Sequence, residues 1–341
     1  MKNNGIRIGL TYDLRDAYLA EGYSEIDTAE FDRAATIDSI ETTLTMQGYA
    51  VDQIGNVKQL AARLTKGDTW DMVFNICEGM HGIAREAQVP ALLDAYEIPY
   101  VFSDALVCAL TLHKGMTKDV VRAAGVATPD YAIVHELADV KNVTLPLPLF
   151  AKPTAEGTGK GINANSKINS MAELRSVCRQ LLNEHKGQPV LVERFLPGRE
   201  FTVGIIGTGR KAKALATMEI VLLDNADAEV YSYRNKEECE ELVQYSLLSA
   251  GQLRQEVEAL ALRSWRALGC RDAGRIDVRL DDNGQVHFIE VNPLAGIHPE
   301  HSDLPIMAIM IGVKYDVLIG RIMASAMLRL KRTIRAESVA A

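Results

Sequence analysis

The sequence predicts an α/β protein of two or three domains that begins with an open sheet. Three observations predict it. Short apolar runs alternate with amphipathic stretches through about residue 108, the pattern of an open α/β sheet. A second series of strands, separated by helical stretches, follows it. And 341 residues are too many for one small core.

The elements follow in order. Ile6 to Leu10 is a short buried strand. Thr36, Ile37, Ile40 and Leu44 recur at helical spacing, and Gln47-Gly48 stops that helix. Val51 to Ile54 and Asp71 to Asn75 are the next strands, Pro90 to Tyr96 is helical, and Ile98 to Val101 is strand-like. Ligands of open α/β sheets gather at the carboxyl ends of the strands, and Glu78, His81 and Gln88 lie just past one such end. Lys114 to Ala124 is a helix broken by Gly125 and Pro129. Strands recur at Leu149 to Lys152, Val190 to Phe195, Phe201 to Ile206 and Ala212 to Glu219, with helices near Met171 to Leu182 and Gln255 to Leu268. In the last helix Val257, Leu260, Ala261, Ser264 and Leu268 form a core stripe. Asn225 to Asn235 is a loop.

Composition excludes several classes. A 48% hydrophobic and 24% charged chain is ordinary for a soluble globular protein. A net charge of -8 argues against a general nucleic-acid binder. The basic residues from Arg321 to Arg335 fit a solvated C-terminal helix face better than a membrane or RNA patch. Five scattered cysteines, Cys77, Cys108, Cys178, Cys239 and Cys270, offer neither a disulfide framework nor a zinc site, so reduced thiols in a cytoplasmic protein are expected. The N-terminus is too short in apolar residues for a signal peptide, and no stretch approaches a membrane span.

The chemistry concentrates near the C-terminus. Arg275 to Arg279, then Asp281-Asp282-Asn283-Gly284, then His287 to Asn292 make a hairpin signal. With Asn283-Gly284 as a two-residue turn, Asp282 pairs with Gln285, Asp277 with Glu290 and Arg275 with Asn292. Those four polar groups then share one face, and Ile276, Val278, Ile289 and Val291 occupy the core face. Two carboxylates and an amide, with neither His nor Cys, suit a hard cation such as Mg²⁺. A solvated face with an ordinary salt bridge is the alternative. Lys152 ends a strand before a loop in which Gly157, Gly159 and Gly161 alternate, leaving backbone N–H groups free to wrap an anion. This is not a Walker A loop, and alone it could be a flexible tip. Leu191 to Glu200 is an apolar strand ending in an acid-bearing linker; Glu193 and Glu200 would be ordinary surface acids in isolation, but a linker between two sheets can read an adenine edge through its backbone.

Taken in order, these runs resemble an ATP-grasp enzyme of the D-alanine–D-alanine ligase type. The likeness runs through Glu78-Gly79 to Gln88, Ile98-Pro99-Tyr100, Lys114, Lys152-Pro153 with its loop, Glu193 to Glu200, and Tyr231 to Lys236. It continues through Gly269 to Asp277, Glu290 to Pro293, Gly296 and Ser302 to Pro305, covering nearly the whole chain. The resemblance implies a three-domain ATP-grasp fold: an N-terminal open α/β sheet domain at 1–111, a central α+β lid domain at 112–198 and a C-terminal α+β catalytic domain at 199–341. It implies that Lys114 and Lys152 hold ATP phosphates beneath a lid that includes Gly157, Thr158, Gly159 and Gly161. Glu193 would face the adenine amino group, Leu196 would offer its backbone N–H, and Glu200 would bind ribose. Asp277, Glu290 and Asn292 would hold two Mg²⁺ ions, or Mn²⁺ in their place. Arg275 and the Gly296 N–H would stabilise an oxyanion. Lys236 and Ser302 would meet the γ-phosphate or a substrate carboxylate.

The chain departs from the family's pattern on the substrate side. Two serines of the family's loop are Thr158-Gly159 here, its Lys-Tyr pair is Lys236-Glu237, and its His-Gly is Glu78-Gly79. The N-terminal Gly-Gly-x-Ser glutamate motif is replaced by Leu10 to Leu14, and Glu30 does not align clearly. Glu78, His81, Glu237 and Ser302 are the candidate substrate contacts. The expected activity is therefore an ADP-forming carboxylate–amine ligase that works through an acyl phosphate on an amino acid, or a similar compound, other than two D-alanines. The alternatives are a D-alanine–D-alanine ligase of cell-wall synthesis, a ligase of secondary metabolism and a nucleotide-binding protein without turnover. The expected partners are a small-molecule carboxylate and an amine, with no nucleic acid and no membrane, and the expected assembly is a homodimer.

Overall fold

The structure is a computed structural model that describes residues 5–185, 187–223, 225–226, 234–235 and 238–340, with backbone alone at 239–240 and 331–340. The first part runs β1 (Arg7–Thr11), α1 (Arg15–Ala20), α2 (Ala34–Met46), β2 (Ala50–Gly55), α3 (Val57–Thr65), β3 (Met72–Asn75) and α4 (Gln88–Ala95). Its strands form a parallel sheet in the order β2-β1-β3. Ile8 and Leu10 are fully buried, as a strand covered on both faces requires. The strand-like run at 98–101 joins only through a bridge from Tyr100 to Val73. Pro99 has no N–H to give, but its carbonyl accepts from Val73, and Val101 donates to Val73. The polar run that contains Glu78 and Gln88 leaves the carboxyl end of β3, where ligands of such sheets gather.

Helices α5 (Ala105–Leu112) and α6 (Lys114–Ala123) lead into β4 (Tyr131–Val134), β5 (Leu149–Pro153), β6 (Lys167–Ile168), α7 (Met171–Glu184) and β7 (Val190–Arg194). These strands form an antiparallel sheet in the order β4-β7-β5-β6. Leu174, Cys178 and Leu181 of α7 pack against its buried Leu149 and Val192. The last part holds β8 (Glu200–Ile206), β9 (Lys213–Leu222), α8 (Cys239–Leu242), β10 (Val243–Leu247), α9 (Gln252–Leu268), β11 (Ala273–Leu280), β12 (Val286–Asn292), α10 (Asp303–Met310) and α11 (Tyr315–Ala340). Its five strands are ordered β10-β9-β8-β11-β12. The core stripe of α9 is buried at Val257, Ala261, Ser264 and Leu268, and Trp265 beside it is fully buried. Leu260 is only half-buried.

Arg321 of the C-terminal helix is exposed, as a solvated basic face requires, but Arg329 departs from that expectation. Leu318, Ile319, Ile322, Met323 and Ala326 enter the same core as β1 and α2. Arg329 donates to buried Asp272 at 2.6 Å and to the Tyr100 carbonyl at 2.8 Å. A basic residue at the edge of an apolar stripe has found an internal acid, so α11 ties the last sheet to the first. The four described cysteines are all buried, in keeping with core thiols. Among the described residues no helix is long and apolar enough to cross a membrane. The loop expected at 225–235 lies mostly outside the described residues.

One glycine fixes the seat of the β11–β12 hairpin. A Cβ on Gly274 would stand 2.5 Å from the Asn292 carbonyl oxygen and 2.7 Å from the Trp265 ring. Neither the paired strand nor a fully buried indole can yield. Gly274→Ala is therefore expected to lower stability by about 1–3 kcal/mol, the usual cost of overpacking. Chemical denaturation of both proteins measures it.

Candidate active site

The hairpin sets the first group of side chains. Arg275 faces Asn292 and Asp277 faces Glu290 across β11 and β12, as the sequence predicts. The turn differs. Asp281 donates its N–H to the Gln285 carbonyl, and Gly284 takes a φ of 78°, so the loop spans three residues instead of two. The Asp281 side chain holds this shape by accepting from the N–H groups of Asn283 and Gln285. That shifts the outer ladder by one, to Val278 opposite Phe288. A bulge at Ile289 restores the register before Glu290 is reached. The core face is corrected accordingly: Phe288 is buried with Ile276, Val278 and Val291, while Ile289 lines a small pocket beside Lys152 and Glu193.

Asp277 is the hub of this face. Its Oδ1 accepts from the Thr202 hydroxyl at 2.6 Å, and its Oδ2 accepts from the Asn292 amide at 3.0 Å and Arg275 at 3.3 Å. The other end of Arg275 reaches Asp303 at 3.1 Å. The guanidinium is thus held between two carboxylates with its plane fixed. Among the described residues no three His, Cys, Asp or Glu side chains converge as a metal site. Here the set is two carboxylates and an amide oxygen, which suits a hard cation whose remaining positions are filled by phosphate and water.

Helix α6 and strand β5 bring buried lysines to the same place. Lys114 Nζ lies 3.6 Å from Glu290. Lys152 Nζ lies 3.0 Å from Glu193 Oε1, and Lys118 Nζ lies 2.7 Å from Glu193 Oε2. Burial pulls Lys114 below the ordinary lysine value although Glu290 opposes it. It pulls Lys118 down to about 8. Burial also works against the Lys152 charge, but Glu193 and Glu290 outweigh it and hold that pKa above the ordinary value. Glu193 is 3% exposed, and each of its carboxylate oxygens faces a lysine. Leu196 is buried beside it and Glu200 pairs with Arg279 at 3.3 Å; both line the small pocket with Lys152, Phe150 and Ile162. The pocket mixes charged with apolar side chains, and the Glu193 carboxylate in its lining is an acceptor that an exocyclic amine could meet.

The glycine loop is folded down over the site. Gly157 donates its N–H to Glu30 Oε1 at 2.5 Å, and a Cβ there would stand 2.4 Å from that oxygen. Lys160 donates to the Asp27 carbonyl and Glu30, Arg85 donates to the Ala155 carbonyl and Glu30, and Lys114 donates to the Glu156 carbonyl. Gly159 and Gly161 have φ values of 74° and 73°, and Thr158 at 50° shares the left-handed region that favours glycine. Glu30 is thus the anchor of the loop in this structure. Sequence reasoning left it unplaced because its partners lie 55 and 127 residues away.

A cavity of 460 Å³ opens between these parts. Lys114, Glu290, Asn292, Arg275, Gly296, Ser302, Gly157, Thr158 and Glu78 all line it. A Cβ on Gly296 would meet the Ser302 hydroxyl at 2.8 Å, and that hydroxyl accepts from the His298 N–H. His81 is exposed, lies 3.2 Å from the Tyr23 hydroxyl and is not part of this lining. Lys236 and Glu237 lie outside the described residues. Sequence reasoning missed Glu86, Arg85, Lys118, Thr202 and Asp303. Lys118 carries a signal, since it stands one turn after Lys114 on the same helix.

The chain is similar to known proteins. Residues 120–324 match the family described as D-ala D-ala ligase C-terminus. The D-alanine–D-alanine ligase of Bordetella avium is 33% identical over 273 residues, covering 79% of this chain and 82% of its own. That of Aquifex aeolicus is 31% identical over 274 residues, covering 80% and 88%. The chain superposes on the crystal structure of the D-alanine–D-alanine ligase from Bacillus anthracis complexed with ATP, with a TM-score of 0.73 at 22% identity over 97% of this chain and 99% of that one. It also superposes on the VanG D-Ala:D-Ser ligase from Enterococcus faecalis, with a TM-score of 0.72 at 19% identity over 95% and 100%.

Proposed function

Because the chain belongs to the D-alanine–D-alanine ligase family, we propose that it makes D-alanyl-D-alanine, activating one D-alanine carboxylate with ATP and joining it to the amine of another. It is an ADP-forming ATP-grasp ligase that works with ATP and Mg²⁺ on small-molecule substrates. The names of relatives about a third identical favour this pair over the expectation of a substrate other than two D-alanines. The observation that carries the reading is the meeting of Lys114, Arg275, Glu290 and Asn292 on one cavity under a closed loop.

In this reading Lys114 and Lys152 hold the ATP phosphates. Glu193 accepts from the adenine amino group, the Leu196 N–H meets the ring, and Glu200 binds the ribose. Asp277, Glu290 and Asn292 hold two Mg²⁺ ions, which Mn²⁺ can replace, and the metal supplies charge neutralisation at the phosphates. A carboxylate oxygen attacks the γ-phosphorus, and ADP leaves with the electron pair of the broken P–O bond. The amine nitrogen then attacks the acyl carbon, and the C–O bond breaks to release phosphate. The ammonium sheds two protons, one ending on phosphate and one in solvent. Arg275 and the Gly296 N–H stabilise the oxyanion between these events. Ser302 and Lys236 meet the γ-phosphate or the second carboxylate. Residues 1–111, 112–198 and 199–341 act as N-terminal, lid and catalytic domains, and the assembly is a homodimer.

A second reading, in which one partner is not D-alanine, is favoured by Glu78 and Glu86, two cavity carboxylates without a hydrogen bond or ion pair among the described residues. The test is ADP release with D-alanine as sole amino acid beside a panel of other D- and L-amino acids, with products identified by mass. D-Alanyl-D-alanine as the best product is expected. Efficient turnover only on other pairs would overturn D-alanine as the substrate, and no ADP release on any pair would overturn the ligase reading itself.

A further inference from the structure

The substrate cavity is lined by more carboxyl groups than its own cations pair with. Carboxylates outnumber permanent cations along its lining. Three of the four lining cations are committed, Arg275 to Asp277 and Asp303, Lys114 to Glu290, and Arg15 to Glu25, and the fourth, Arg33, is exposed. Arg85, behind the lining, is committed to Glu30 and Glu156. Asp32 is satisfied in part by the Thr36 hydroxyl. Two acids are left over. Glu86 is only 9% exposed and borders the cavity, yet no described residue gives its carboxylate a hydrogen bond or an ion pair. Glu78, half-buried at the end of β3, borders the same space and is likewise without a partner for its carboxylate among the described residues.

A buried carboxylate without a donor is costly, and two facing the same space repel as well. Burial, then Glu86 and Glu30, pushes Glu78 well above the ordinary carboxylate range. Burial, with Glu30 adding to it, raises Glu86 to about 7 although Arg85 and Lys114 oppose it. Among the described residues no third His, Cys, Asp or Glu joins Glu78 and Glu86 in a metal-binding group. An organic cation with several N–H donors does fit, because it can give a charge-assisted hydrogen bond to each carboxylate while its α-amino and carboxyl groups keep their places in the reaction.

We propose that the enzyme also joins D-alanine to an amino acid with a cationic side chain, held between Glu78 and Glu86. This rests on the ligase reading and adds the class of one substrate to it.

The experiment uses the full chain with Mg²⁺-ATP, D-alanine and a second amino acid offered as matched pairs. 2,4-Diaminobutyrate stands beside norvaline and ornithine beside norleucine, in both stereochemistries, so that each pair differs by an ammonium in place of a methyl. The cationic member is expected to give kcat/KM at least about tenfold above its neutral match, as a charge-assisted bond to a buried acid implies, with a heterodipeptide product by mass. In Glu86→Gln and in Glu78→Gln that ratio is expected to fall toward one. Equal or better use of the neutral member by the unaltered enzyme overturns the proposal without needing either variant to fold. A ratio unchanged in both folded variants overturns the assignment to these acids. D-Alanyl-D-alanine formation with no cationic preference would sink this inference and leave the ligase reading standing, whereas no ADP release with any pair would sink both.

Discussion

Glu290→Gln is expected to abolish turnover while leaving the fold intact. Glu290 faces Asp277 across the β11–β12 ladder, borders the cavity and lies 3.6 Å from Lys114. The substitution keeps size and hydrogen-bonding capacity but removes one negative charge from a set of two carboxylates and an amide. That set would offset the positive charge of Mg²⁺ and fix its place against the phosphates, so the loss acts on the transition state as well as on metal affinity. A cost of about 4 kcal/mol, or roughly a thousandfold in rate, is the expected scale. Lys114 gives the loss a second route, because Glu290 is the main group opposing the fall in its pKa. ADP release at saturating Mg²⁺, with thermal melts of both proteins as the fold control, measures the effect. Near-normal activity would remove Glu290 from the metal set.

How much of this site the sequence reveals depends on the range of the interactions that make it. The hairpin pairs were legible because they are local: an Asn-Gly turn and alternating side chains need no knowledge of the rest of the chain. Even so, two departures cancel there. The three-residue loop moves the ladder by one, the bulge at Ile289 moves it back, and the polar face comes out as expected while the apolar face does not. A bulge re-aims one side chain, and here it turns Ile289 from the core toward the small pocket and leaves Phe288 in its place. Long-range groups were not legible. Glu30 meets the loop across more than a hundred residues, and Arg329 docks on Asp272 although its local pattern is that of a solvated basic helix. Glu86 was invisible for another reason. Next to Arg85 it looks like half of an ordinary surface ion pair, but Arg85 turns to Glu30 and Glu156 and leaves it without an ion pair among the described residues.

Lys152→Ala is expected to weaken nucleotide binding and slow phosphoryl transfer together, by about a hundredfold or more in kcat/KM for ATP. Three features of the site set the size. Lys152 is 3% exposed at the end of β5, so its ammonium acts in a medium where charge is poorly screened. Its pKa is held above the ordinary lysine value, so it is fully charged at neutral pH. And it touches Glu193 at 3.0 Å in the slot assigned to adenine while bordering the same pocket as Asp277 and Glu290, which places one cation between the base and the phosphates. Removing it takes a positive charge from the phosphates and leaves Glu193 with Lys118 alone. Lys118→Ala separates the two effects, since Lys118 reaches Glu193 but is not part of the pocket lining. Loss of the Glu193 pair alone is expected to raise the KM for ATP and change kcat little, whereas Lys152→Ala is expected to lower kcat as well. Nucleotide affinity by calorimetry and single-turnover ADP formation read the two terms independently. If both survive in Lys152→Ala, the lysine serves only to neutralise Glu193 and the phosphates are held by other groups.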